Sequence, residues 1–404
     1  MKKAVILKTY LVIFCLLLFS IPFSGIATSL PNIFLIALGI LFPFCFRKEQ
    51  LKELKKPTIL VYLGLILYVS IDIWVQGFLI SEISQLGKLY LPICVLILSF
   101  PVNKEIKYAQ FSLIIGVLFI VFTSLISLVF YAFEQGEFSF SNGSFINEVL
   151  LLERVYIAFL CVLSLIFSLH LLGLSNDTKR KFLIINSIIV ISFVFVIAAR
   201  IAILSMVLIA IYYMFRLFSK KKIIYAIGVI SILIGLFFLV NKNLRNRFFY
   251  TDQNNSFIEN LKIWEPRMVI WPCTYDIVNK ENFGFYTGIG SYKNTRLELL
   301  DCYDNTIQHP EKRKWFLHIK YNTHNQFLDF LLVSGFLGFL CFWIVFFSAL
   351  WNSKNSFLKI SLVLTFVLLG LVENYLHRQV GVYCFAIFLI MLRNFDSNEA
   401  LKKE

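Results

Sequence analysis

Charge is scarce in this sequence. Charged residues fill 15% of its 404 positions and hydrophobic ones 59%, whereas a soluble domain is about a quarter charged and nearer half apolar. With a mean hydropathy of +0.78, that shortage excludes a soluble globular chain. Other absences exclude chemistries. There is no Gly-Lys-Ser/Thr phosphate loop, which argues against ATP binding. No two histidines have metal-ligand spacing, the eight cysteines form no metal pattern, and no carboxylate cluster suggests a divalent ion. The expected chemistry is therefore free of metal and cofactor. No nucleic-acid-binding pattern accompanies the net charge of +14. No internal repeat is visible. Met1-Lys2-Lys3 and the apolar run after it lack a small-x-small cleavage site, so they read as a retained first span.

What is present is a series of apolar runs close to the ~20 residues that cross a bilayer. The expectation is an all-α, polytopic integral membrane protein with about twelve spans, near 5–23, 26–45, 58–76, 88–100, 109–132, 155–173, 182–198, 201–217, 223–240, 325–349, 358–374 and 379–393. Residues 77–87 read as a short polar turn, with Pro92 bending or shortening the span after it. The basic linker from Arg47 to Lys56, Lys104 with Lys107, Lys179-Arg180-Lys181, Lys220-Lys221-Lys222 and the C-terminal tail all fall on one side, the cytoplasmic one. The polar segment 241–323 then falls outside, as one large extracytoplasmic loop. Its 12 Lys+Arg and 9 Asp+Glu do not oppose this, because long loops escape the positive-inside rule. Three regions follow: N-terminal spans 1–181, a core 182–345 that includes the loop, and C-terminal spans with a tail, 346–404.

This topology gathers Arg154, Arg200, Arg267, His324, Glu373, His377 and Arg378 on the outer face. Arg200 is the one charge in the apolar stretch Ile197 to Leu204. An ionisable group there costs roughly 2.5–3.5 kcal/mol and normally faces a cavity or a partner. The competing reading is an arginine snorkelling at a tight turn. Arg267 follows Pro266, which suits the first turn of a helix. Arg267, Ile270 and Trp271 would then share a face, as on a short amphipathic helix lying on the membrane. Its guanidinium is either a plain surface cation or a bidentate grip on phosphate. Gly288-Ile289-Gly290 reads as a tight turn. Cys273 and Cys302 alone fall in the long loop; an extracytoplasmic loop would permit a disulfide between them, and the sequence leaves this open.

His324 stands where the polar segment meets span ten, followed by Phe327, Leu328 and Leu331 as inward-packing positions and by Gly335 and Gly338, which permit close helix approach. A histidine here can take a proton near neutrality; it can also merely cap the helix or bond a lipid head group. The other histidines, His170, His309, His318 and His377, open no long span and are weaker candidates.

Tyr321-Asn322-x-His324-Asn325-Gln326-x-Leu328 followed by Gly335-x-x-Gly338 resembles the signature of the O-antigen ligase and O-antigen polymerase superfamily. The Arg200 stretch, the Arg267 helix, the Gly288-x-Gly290 turn and Glu153-Arg154-x-Tyr156 fit the same resemblance. It implies a polyprenyl-diphosphate-linked (undecaprenyl-type) glycan donor used at the outer, periplasmic face of a bacterial inner membrane, within the lipid bilayer. Ligases of the family pass the glycan to lipid A–core without a metal; polymerases pass it to another lipid-linked repeat. Carried over by position, His324 becomes the base on the acceptor hydroxyl. Arg200 and Arg267 become the diphosphate clamp, with Arg154 a fourth member. A transporter reading stands apart, since transporters place broken helices and charges near the mid-membrane.

Overall fold

The computed structural model describes residues 2–135, 149–217, 265–351 and 356–394, together with the single positions 219, 228 and 235. The expected span 223–240, the loop residues 241–264 and the C-terminal tail lie outside them. The described residues are helical, with one isolated bridge between Gly284 and Gly288 and no named strand. The chain divides into two compact units: residues 1–47, 98–254 and 356–365 form the first, and residues 48–97, 255–355 and 366–404 the second.

In the first unit, α1 (Lys2–Ser20) packs against α2 (Leu30–Cys45) and α5 (Ile106–Gln135). The α1–α5 crossing is close because Gly116 faces the Phe19 carbonyl, which a Cβ would approach to 2.5 Å. Next come α6 (Arg154–Leu172), α7 (Asp177–Val196) and α8 (Arg200–Leu217), with α6 packed on both of the others. The buried Asn186 amide of α7 donates to Ser168 at 2.8 Å and Ser164 at 3.0 Å, both on α6. Between apolar helices such a polar clamp fixes the register.

The second unit holds α3 (Pro57–Val75) and α4 (Leu79–Leu98), then three helices of the polar segment, α9 (Arg267–Val278), α10 (Tyr292–Thr306) and α11 (Pro310–Ile319). It is completed by α12 (Gln326–Trp351), most of α13 (Phe357–Gly370), and α14 (Gln379–Asn394). α12 packs along α3, and an aromatic cluster of Phe327, Phe342 and Phe346 on α12 with Phe385 and Phe388 on α14 fills the centre. The polar segment packs Ile270, Cys273, Ile277, Leu299, Tyr303, Ile307 and Phe316 into one core with Leu332 of α12. Cys273 and Cys302 are joined in a disulfide, Cα–Cα 5.8 Å, tying α9 to α10.

Among the described residues, six helices are long and apolar enough to cross a membrane, or seven if Leu30–Cys45 and the bent helix Lys48–Lys55 form one span. α13 and α14 are shorter apolar helices. The expectation for residues 77–87 needs correction. They are not a polar turn: α4 begins at Leu79 and carries Glu82, Gln85 and Lys88 within its first three turns. Polarity alone made that stretch look like a loop, but Glu82 is buried and its carboxylate accepts from the Ser291 hydroxyl at 2.5 Å and the Lys293 amide at 3.0 Å. Those bonds from another element let a polar turn of helix persist.

Candidate active site

The segment from Tyr321 to Asn325 is irregular because side chains, not a ladder, take its backbone groups. Asn322 Oδ1 accepts the His324 amide at 3.0 Å, and Thr323 Oγ1 donates to the Asn325 carbonyl at 3.0 Å. Asn325 Oδ1 then accepts from the amides of Phe327 and Leu328 at 3.0 and 3.1 Å. Asn325 is therefore the cap of α12. His324 does not cap the helix; it precedes the cap with φ of 42°. A left-handed non-glycine backbone costs on the order of 1–3 kcal/mol and concentrates at functional sites. Off the helix, His324 is not aligned with Phe327 and Leu331; Phe327 is buried, whereas Leu328 and Leu331 are only partly so.

His324 is half-buried, and its Nδ1 faces the Glu373 carboxylate at 3.5 Å. The Nδ1 atom is shielded from solvent and makes no hydrogen bond of good geometry, so the contact is a loose ion-pair contact in this conformation. Burial pushes the Glu373 carboxyl up. The interaction with His324 and the charges of His324, Arg267 and Arg378 outweigh it and hold the carboxyl below its ordinary value. Ring packing fixes the imidazole from below: Tyr321 lies 5.5 Å from His324 between ring centres and is held by Phe316, and its hydroxyl accepts from Trp315 Nε1 at 3.0 Å. The disulfide-stapled core thus ends under His324.

Arg267 opens α9, with Pro266 as its cap residue rather than within its first turn. Its Nη1 meets Glu265 at 2.5 Å and its Nη2 donates to the Val372 carbonyl at 2.7 Å, next to Glu373. Its Nε is buried with no hydrogen-bond partner. The expected amphipathic face is corrected here: Ile270 is wholly buried in the core of the polar segment, while Trp271 is exposed. α9 packs against α10 and α12.

Arg154 and Arg200 belong to the first unit, where each is the first residue of a helix. The α6–α7 connection is short, and the α7–α8 connection is a tight turn with Ala198 at φ 50°. Both arginines thus stand at helix N-termini within that unit. A cation at a helix N-terminus opposes the helix dipole unless an anion joins it. Arg154 and Arg200 thus belong to one unit, and Arg267 and His324 to the other.

Sequence reasoning passed over a polar network behind His324. Asn374 accepts from the Asn325 amide at 2.7 Å, and its Nδ2 donates to Thr323 at 2.8 Å and to Asp329 at 2.9 Å. Asp329 also meets His377 Nε2 at 2.7 Å, and Gln326 Oε1 accepts the Leu376 amide at 2.8 Å. The signal was available in Asp329, a carboxylate inside an apolar run, which in a span normally has a partner.

Gly288-Ile289-Gly290 is a turn, as expected, and it has a docking role. α12 breaks at Ser334 and Gly335, where Gly335 has φ 62° and ψ −164°. The carbonyls of Leu332 and Val333 freed by that break accept from the Ile289 and Gly290 amides at 2.8 Å each, and Phe336 N–H donates to the Phe285 carbonyl at 2.8 Å. Gly288 and Gly335 permit this approach, for a Cβ on either would lie within 2.6 Å of the other segment's backbone.

Residues 185–343 match the model of the family described as O-Antigen ligase. That stretch includes Arg200, Arg267, the glycine turn and His324, and the match supports the resemblance to the O-antigen ligase and polymerase superfamily. No curated protein matches the chain.

Proposed function

We propose that this protein is a glycosyltransferase of the O-antigen ligase type. It moves a glycan from a polyprenyl-diphosphate carrier onto a lipid A–core acceptor, at the periplasmic face of the bacterial inner membrane. The observation that carries this reading is the His324–Glu373 pair set beside Arg267.

With Glu373 on Nδ1, the Nδ1–H tautomer is favoured and Nε2 holds the lone pair. Nε2 takes the proton of the acceptor hydroxyl as its oxygen forms a bond to the anomeric carbon. The bond from that carbon to the phosphate oxygen breaks, and the diphosphate leaves with the electron pair. Glu373 stabilises the imidazolium so formed. A diphosphate is already a good leaving group, so positioning and charge do most of the work. Arg200 and Arg267 hold the diphosphate in this reading, with Arg154 assisting, since guanidinium stays charged at any working pH. Three observations support it: two arginines that each open a helix, the unpartnered Nε of Arg267, and a disulfide in the polar segment, which fits an oxidising compartment.

Lipopolysaccharide banding in a deletion strain tests the proposal. Loss of all O-chain with accumulation of lipid-linked polymer is the ligase outcome. Loss of the ladder with retention of core plus one repeat would instead make the protein a polymerase of the same superfamily. Complementation with His324→Ala should leave transfer lowered by about 10²–10⁴-fold. Normal banding from that variant would remove His324 from the base role.

A further inference from the structure

A cavity of about 190 Å³ lies within the second unit, lined among others by Gln85 on α4, Tyr292 and Arg296 on α10, Asn322, Asp329 and His377. Asn322 also holds the His324 amide through its Oδ1, so the cavity adjoins the proposed base. Its walls set amide, hydroxyl, carboxylate, guanidinium and imidazole groups among apolar surface, the mixture that the hydroxyls and the C–H faces of a sugar ring both need. It is smaller than the roughly 300–1,000 Å³ pockets that take larger ligands, a size that suits one sugar ring.

His377 is arranged in that wall as a hydrogen-bonding group. Its Nε2 is 2.7 Å from an Asp329 carboxylate that also receives the Asn374 amide at 2.9 Å and the Gln326 amide at 3.4 Å. Those partners are donors, so the imidazole contact completes an acceptor site and Nε2 carries a proton. In the neutral ring Nδ1 then holds the lone pair. The ring is fixed edge-on against Tyr292, 5.3 Å between centres, and the backbone carbonyl of His377 takes Lys88 Nζ at 2.9 Å. Packing alone would be as well served by apolar residues, because a buried polar pair of this kind adds little net stability.

We propose that this cavity is the subsite for the acceptor sugar, a hydroxyl-bearing ring of the lipid A–core, and that His377 Nδ1 accepts a hydrogen bond from one of its hydroxyls. His377 is then a specificity residue and Asp329 the residue that positions it. The assignment rests on the transfer reading above. The test uses the full-length protein in nanodiscs, with purified lipid A–core and a lipid-linked glycan donor varied separately. His377→Ala and Gln85→Ala should each raise the KM for lipid A–core about tenfold, the loss of one hydrogen bond, while the donor KM stays within twofold. Should the His377 variant fail to fold, the surface-accessible Gln85 variant decides. An unchanged acceptor KM, or a donor KM rising in step with it, overturns the subsite while leaving the transfer reading intact. A wild-type protein that does not glycosylate lipid A–core overturns both.

Discussion

At the scale of single residues, the site depends on a carboxylate that stays ionised although it is buried. Glu373 is held below its ordinary value because the interaction with His324 and the nearby arginine charges outweigh desolvation. A carboxyl whose folded value is depressed contributes stability that is fully present above its unfolded value, about 4.3, and is lost as pH falls through the lower folded one. Glu373→Gln should therefore unfold at lower temperature than wild type at pH 6–7, and the gap should close as pH falls below about 4. Thermal melts of both proteins in detergent from pH 7 to pH 3 measure it; a gap that is constant with pH would mean Glu373 is not the ionised partner described here. Asn325 gives a second residue-scale expectation. Its side chain caps α12 and its amide joins Asn374, so Asn325→Ala should cost about 1 kcal/mol of stability and also lower transfer, since the cap adjoins His324. The sequence made His324 legible because it sits at a polar–apolar boundary. It did not make Glu373 legible as its partner, because 48 intervening residues separate them and only the fold brings the α13–α14 turn back to that boundary.

At the scale of elements, the break in α12 and the glycine turn are one device. The two amides of the turn take the two carbonyls that the break releases, so each irregularity satisfies backbone groups of the other inside the protein. Gly335 adopts a combination of φ and ψ open essentially to glycine alone. A Cβ there would also meet the Tyr286 carbonyl carbon at 2.3 Å. Gly335→Ala should thus cost more than about 3 kcal/mol and sharply reduce the folded yield in size-exclusion chromatography. Gly87→Ala is the control. Gly87 lies within α4 with nothing near its Cβ position, and alanine there should be neutral or stabilise by up to about 1 kcal/mol. Equal yields for the two variants would contradict the device. From the sequence, Gly288-x-Gly290 was readable as a turn and Gly335-x-x-Gly338 as a close-approach stretch. That the two approach each other was not, because backbone-to-backbone docking across 45 residues leaves no periodic or compositional trace. α4 was misjudged for a related reason. Glu82 and Lys88 looked like loop residues until Ser291, Lys293 and the His377 carbonyl were seen to receive them.

At the scale of the whole molecule, membrane orientation decides whether the chemistry has access to its substrates, and cysteine chemistry reports it. The proposed placement of the long polar segment on the extracytoplasmic side rests first on the distribution of basic linkers, an argument from composition alone. The disulfide between Cys273 and Cys302 is an independent argument, since such bonds persist in oxidising compartments and are rare in the cytosol. The other six cysteines are free, and five of them are buried or partly so while Cys94 is exposed. Composition identified those six as belonging to apolar runs, but whether the remaining two pair was undecidable from sequence, since it turns on α9 and α10 packing side by side. The two arguments meet in one measurement. Cells are lysed directly into denaturant with a polyethylene-glycol maleimide, before or after reduction, and the tagged protein is resolved by electrophoresis. Six additions before reduction and eight after it are expected. Eight additions without reduction would place the segment in a reducing compartment, which would leave His324 and Arg267 facing the cytoplasm and remove the donor from their reach. Cys273→Ser removes the bond and should destabilise the polar segment by about 2–4 kcal/mol. Because that core ends at Tyr321 beneath His324, transfer should fall in the same variant without any change at the catalytic groups themselves.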